Sequence, residues 1–162
     1  MIYKKNNLFF AIKAGKIRLN SIAKSIKTIT LKEKSLFVLF SLNCTPTENH
    51  LKHCIFAGKG FKVSDFLMKL TGEKQLTQAK NRIELDNTKK ACLIAVAKNK
   101  KKADETAKKI SELIGLKKEK ISSLKRLKKL AIKEKIPLNA FGEDFYSSVN
   151  NFFIERSALV VE

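Results

Sequence analysis

The chain predicts an α/β fold (α+β as the variant): a mixed central sheet of about four to five strands covered by helices in a single domain. Three observations point there. Two near-continuous apolar runs, LFVLFSL at 36–42 and ACLIAVA at 91–97, have the length and composition of strands buried on both faces. Segments with apolar residues at helical spacing alternate with them, bounded by caps and glycines. A length of 162 residues with 44% hydrophobic content supplies one core, and residues 1–162 show no repeat, low-complexity tract or linker.

Taken in order, residues 8–12 read as a short strand turned by Gly15. Leu19, Ile22, Ala23 and Ile26 fall at helical spacing, with Asn20 or Ser21 placed to cap. Residues 36–42 form a central strand. Thr45-Pro46-Thr47-Glu48 is a helix start in which Thr45 caps, Pro46 takes the first helical position and Glu48 completes a capping box. Gly58 or Gly60 ends that helix. Residues 63–70 fit either period, and their place between a glycine turn and Gly72 favours a strand.

The next helix spans residues 74–83, with Leu76, Ala79, Lys80 and Ile83 on one face. After the 91–97 strand comes a basic run, Lys98 to Lys102 around Asn99. Asp104 and Glu105 are expected in the first turn of a helix, where negative charge suits the dipole. Ala103, Ala107, Ile110, Leu113 and Ile114 form its stripe, and Gly115 closes it. Ser122 or Ser123 caps a helix carrying Leu124, Leu127, Leu130 and Ala131 opposite an almost wholly lysine side, stopped by Pro137. Residues 138–144 read as a loop, 145–156 as a last helix, and 157–161 have strand composition.

Charge bounds the function classes. There are 34 Lys+Arg against 15 Asp+Glu, a net charge of +19 and a pI of about 10.0. Such an excess attracts polyanions, and lysine, a point charge, suits backbone contact better than base-edge reading. A lysine-rich host composition is the competing source of the charge. Three widely spaced cysteines (Cys44, Cys54, Cys92) suggest reduced thiols. No apolar run approaches the roughly 20 residues that span a bilayer, and no secretory leader pattern opens the chain, so the expectation is a cytoplasmic protein with no membrane partner.

Catalytic and metal constellations are not expected. His50 and Cys54 are four apart and His53 lies between them, but a zinc site needs four ligands and the chain holds no further histidine. They read as two surface imidazoles and a half-buried thiol. GEKQ at 72–75 lacks the second glycine and the Lys-Ser/Thr pair of a P-loop. Glu143-Asp144 and Asp104-Glu105 stand where caps are expected. The chain is therefore read as a non-enzyme with no cofactor.

Phosphate holding fits better. Thr71, Gly72, Lys74 and Gln75 put a hydroxyl, backbone N–H groups, a lysine and an amide within one turn at a helix start. An ordinary capped helix start gives the same pattern. Lys89, Lys90, Lys98 and Lys100, with the lysine face over 117–135, can extend a positive track. Phe61 and Phe66 lie near the glycine turn, where rings can stack unpaired bases, although phenylalanine in this chain is mostly core. In the last helix, Phe145, Tyr146, Val149, Phe152 and Phe153 wrap too far round for one buried stripe, so either the helix is internal or its outer edge meets another protein.

At these residues the chain resembles a known family. MKLTGEKQLTQAKNRI, then CLIAVAKN, then ADETAKKISELIG are similar, in order and spacing, to the Cgi-type subunit of the KEOPS complex, whose animal counterpart is TPRKB. Thr71, Gly72, Lys74, Gln75 and Leu76 match the central pattern. The likeness runs back through CTPTENHLKHCIFAGKG to Leu36 and forward through VNNFFIERSALVVE. The chain departs from the pattern in its greater basicity and in residues 137–144, which look like an inserted loop. The resemblance implies a non-catalytic accessory subunit supporting threonylcarbamoyladenosine modification of tRNA. It would bind the 3′ CCA end of tRNA and the kinase-like ATPase subunit, and through that the other subunits. On this reading Thr71, Gly72, Lys74 and Gln75 touch the tRNA tail, and Tyr146, Val149, Phe152 and Phe153 dock on the kinase-like subunit. The competing expectation is an adaptor that docks on that subunit without specific RNA binding.

Overall fold

The run LFFAIKAGK, apolar from Leu8 to Ile12, becomes the strand Leu8–Lys16 (β2), which continues through Gly15 rather than turning there, in the computed structural model, which describes residues 1–18, 36–45, 47–57, 60–83, 89–121, 123–136 and 144–160. The expected helix at 19–26, Pro46, the stop at Pro137 and the loop at 138–143 lie outside the described residues. The chain divides into two compact units, Met1–Leu42 with Leu85–Lys120 and Asn43–Glu84 with Ile121–Glu162.

Among the described residues the first unit is a sheet with one α-helix. Its strands are Ile2–Lys5 (β1), β2, Leu36–Ser41 (β3), Lys90–Ala97 (β4) and Lys117–Lys118 (β5). Their order is β1-β2-β4-β3, with β5 also paired to β2. Every pairing is antiparallel, so the sheet is not mixed. In an antiparallel sheet neighbouring strands need no crossover helix between them. The run ACLIAVA is the central strand, buried from Ala91 to Val96, whereas the run from Leu36 lies at the end of the strand order with Leu36 itself exposed. The strand β1 had no apolar signal. It pairs with β2 through a turn at Asn6, whose φ of 52° is tolerated by asparagine.

The helix Lys100–Leu113 (α4 in chain order) packs on one sheet face, where Ile110 and Ile114 meet Ile17, Ala91 and Leu93, and where Ala103 and Ala107 meet Ala11 and Ala95. Small residues there bring helix and sheet close together. The helix begins at Lys100, capped by Asn99, so Asp104 and Glu105 lie beyond its first turn. The opposite face presents Phe10, Ile12, Phe40, Cys92 and Ile94, all buried.

The second unit is helical: Glu48–Phe56 (α1), Val63–Thr71 (α2), Leu76–Ile83 (α3), Leu124–Lys133 (α5) and Phe145–Ala158 (α6). Residues 63–70 are thus a helix, not a strand. Val63, Phe66, Leu67 and Leu70 recur at i, i+3, i+4 and i+7, the helical period, and three of them are buried. The cap of α1 is Thr47 rather than Thr45. Its Oγ1 accepts from the His50 N–H at 3.0 Å and donates to Asn150 Oδ1 at 2.5 Å. Asp144 caps α6 by accepting from the Tyr146 and Ser147 N–H groups. That helix continues through Ser157 and Ala158, so the tail at 157–160 is not a strand. Its inner face joins Leu127, Leu130, Ala131 and Ile136 through Val149 and Phe153.

Candidate nucleic-acid interface

The turn at Gly72 closes a helix rather than opening one. Gly72 has φ 69° and ψ 26°, the left-handed conformation that ends helices, which glycine adopts without steric cost. Its N–H donates to the Lys69 carbonyl at 3.3 Å and the Glu73 N–H reaches back to the Met68 carbonyl at 3.1 Å, a Schellman arrangement. The buried Thr71 hydroxyl donates to the Leu67 carbonyl at 2.9 Å. The expected phosphate cradle of Thr71 and Gly72 is therefore corrected: its hydroxyl and first amide are already engaged, and the carbonyl end of α2 carries the negative pole.

What remains open to a ligand is the next step of the chain. Lys74 and Gln75 are exposed, and the Ala79 N–H donates to the Gln75 carbonyl at 3.0 Å, so α3 begins just after Gln75. The first N–H groups of a helix have no partner within it. Lysine, amide and helix start thus fall within a few residues, beside rather than on the glycine.

The turn is held by a four-membered ion cluster. Arg82 Nη1 lies 2.9 Å from Glu73 Oε1 and donates to the Thr71 carbonyl at 3.2 Å. Arg156 Nη1 lies 2.8 Å from Glu134 Oε2, and its Nη2 lies 3.5 Å from Glu73 Oε1. Arg82 Nη2 reaches Glu134 Oε2 at 3.4 Å. Two guanidinium forks thereby tie α2, α3, α5 and α6 around one turn, with charge balanced. No spacing rule reveals this cluster, but scarcity was a signal: only four of the 34 basic residues are arginine, and fork geometry is what lysine cannot replace.

Lys89 and Lys90 do not form one site with Lys98 and Lys100. Lys89 and Lys90 stand at the start of β4, Lys98 and Lys100 past its end, so the strand of eight residues holds the pairs ~25 Å apart. Lys90 is paired with Glu119 at 2.7 Å. Lys98 and Lys100 flank Asn99, whose Oδ1 accepts from the Lys101 N–H at 2.7 Å and occupies the start of α4. The lysine side of α5 is as expected: Lys125, Lys128, Lys129 and Lys133 are exposed, and that helix carries no acid.

Of the expected docking residues, Val149 and Phe153 are buried in the helical core. Phe152 is half-buried against the same cluster, edge-on to Phe153 at 5.5 Å, and Tyr146 is exposed. The inner side of α6 is thus Val149 and Phe153, while Tyr146 and Phe152 stay wholly or partly open on its other sides.

His50 is buried, not a surface imidazole. Its ring stands 5.5 Å from Phe153, Nε2 lies 3.4 Å from Cys54 Sγ, and Nδ1 has no hydrogen-bond partner. Burial pulls its pKa down to about 3 and pushes the Cys54 thiol up to about 12. Neither group is poised as an acid, a base or a nucleophile near neutral pH. Among the described residues no three His, Cys, Asp or Glu side chains are grouped to hold a metal, and no helix is long and apolar enough to cross a membrane. No protein-family model matches this chain, and no curated protein matches it.

Proposed function

We propose that the chain is a non-catalytic, cytoplasmic accessory subunit of a KEOPS-type tRNA-modifying complex, contacting the tRNA 3′ end and the kinase-like ATPase subunit. The observation that carries the nucleic-acid part is the charge: an excess of 19 positive charges, much of it on exposed lysines such as those of α5. Point charges of that kind favour a phosphate backbone. The order of motifs from Leu36 onward supports the choice of complex. In this reading Lys74, Gln75 and the first amides of α3 touch the tail, while Thr71 and Gly72 shape the turn that presents them. The lysines of α5, with Lys89, Lys90, Lys98 and Lys100, attract the tRNA body from a distance rather than forming a single pocket.

Filter binding of tRNA to the native chain and to Lys74→Glu tests this assignment. A phosphate contact turned repulsive should weaken binding by about 1–3 kcal/mol. Unchanged affinity would remove Lys74 from the interface. The adaptor reading is favoured by one observation, the partial exposure of Tyr146 and Phe152 on one helix. It predicts capture of the kinase-like subunit with no tRNA binding above the salt-sensitive background.

A further inference from the structure

The face of β2 beneath α4 reads Phe9, Ala11, Lys13, Gly15, Ile17. Ala11 and Ile17 are core residues there, and alternation puts Lys13 and Gly15 on the same side. A sheet face under a helix is ordinarily apolar throughout, because a buried charge without a partner is costly. Here the middle of the face is a lysine followed by a residue with no side chain, and a concavity of about 370 Å³ opens at that point.

Among the described residues four cations line it, Lys13 from β2, Arg18 just after it, Lys108 from α4 and Lys117 from β5, against one acid, Glu112. Lys108 is also bound to Asp104 at 3.0 Å. Each cation is fixed through its backbone. Lys13 is paired with Leu93 across the sheet, and Lys117 with Lys16. The Arg18 N–H donates to the Ile114 carbonyl at 3.2 Å, and its stem runs over Gly115, where a Cβ would stand 3.6 Å from Arg18 Cδ. Gly15 admits β5 at this point, since a Cβ there would collide with the Lys117 carbonyl. The carboxylates of Glu112 and of Asp104, which feels the charge of both Lys108 and Lys13, and the carbonyl end of α4 offset part of the positive field of the four cations.

We propose that this concavity is a binding site for a phosphoanion of about pyrophosphate size. Its volume falls in the range of small-ligand sites, roughly 300–1,000 Å³, and exceeds what one phosphate fills. Like charges held together by backbone register repel one another, and an anion relieves that repulsion. The site belongs to the sheet unit, whereas Lys74 belongs to the helical unit, and it stands whether or not the chain grips tRNA. The phosphate can belong to a free ligand or to a nucleic-acid strand.

The test is calorimetric titration of the full chain with pyrophosphate, comparing a Lys13→Met/Lys117→Met variant with Lys128→Met/Lys129→Met, which removes equal charge from α5. The first should weaken binding at least about tenfold and the second less than about twofold. Pyrophosphate should also shift the Gly15 and Gly115 amide resonances of the unmodified chain, a readout that no folding defect can mimic. Competition by an oligouridylate assigns the phosphate to a strand, and its absence assigns it to a free ligand; both uphold the site. Equal weakening by the two variants, no saturable binding, or unmoved glycine resonances would overturn it.

Discussion

The side chain of Arg156 lies across Gly72, in the space where any other residue would place its Cβ. Two requirements meet at one position: a left-handed backbone and a vacant side-chain site. Gly72→Ala should therefore cost about 2 kcal/mol, more than the left-handed conformation alone, because Arg156 must also leave Glu134 and Glu73. In an Arg156→Ala background the same change should cost at least 0.5 kcal/mol less, on the order of the coupling expected for touching residues. Additive losses in urea denaturation would show that the two do not touch.

The buried His50 makes stability depend on pH. Folded, its imidazole stays neutral down to about pH 3; unfolded, it takes a proton below about 6.5. Unfolding thus takes up a proton in that window, so stability falls as pH falls. One such group gives a slope of ~1.4 kcal/mol per pH unit once well below pH 6.5. The half-buried His53 is lowered by burial and by Lys69, and adds in the same direction. Asp104, bonded to Lys108, and Asp144, bonded to Ser147, are held below the usual carboxylate range, so their stabilisation is lost only further into acid. His50→Gln should flatten the profile of urea midpoint against pH between about 6 and 4.5. A profile identical to the native chain would place the imidazole in solvent.

Helix starts should differ in worth. Thr47 both caps α1 and bonds Asn150 on α6, in the buried interior, whereas Asp144 caps α6 from an exposed position. Thr47→Ala should cost about 2 kcal/mol or more, since it also strips a buried amide of its partner, and Asp144→Ala about 1 kcal/mol. The reverse order in thermal melts would contradict the Thr47–Asn150 link.

Thiol chemistry gives an independent check on burial. Cys54 and Cys92 are buried and Cys54 is pushed up to about 12, while Cys44 is half-exposed at 3.1 Å from the Arg82 carbonyl. Alkylation of the folded chain should modify Cys44 first, with the other two following at the rate of unfolding. Rapid labelling of all three would contradict the two cores.

How much of this was legible beforehand follows from which physics decides each part. The strand at 91–97 is readable because burial on both faces writes itself directly into the apolar pattern; of the α5 stripe Leu127, Leu130 and Ala131 are buried, whereas Leu124, at the first position of the helix, is exposed. Residues 63–70 are a helix because Phe66, Leu67 and Leu70 keep the 3–4 spacing, although their place between glycines suggests a strand. Gly72 is legible in the sequence as a turn, but which helix end it serves is not; it closes α2, where the Thr71 hydroxyl and the Gly72 N–H are already bonded. The arginine–glutamate cluster depends on residues from 73 to 156 meeting in space, which no local pattern encodes. The aromatic set on α6 looked two-sided because sequence shows which residues are apolar, not which side of the helix is covered.

The central claim is that this chain grips the end of a tRNA. It is tested most directly by measuring affinity for intact tRNA and for the same tRNA lacking its CCA end, near physiological salt. Tighter binding of the intact molecule, by about tenfold or more, is the expected result for a contact set of a few phosphates and bases. Equal affinity for the two would contradict tail capture and leave only diffuse attraction to charge.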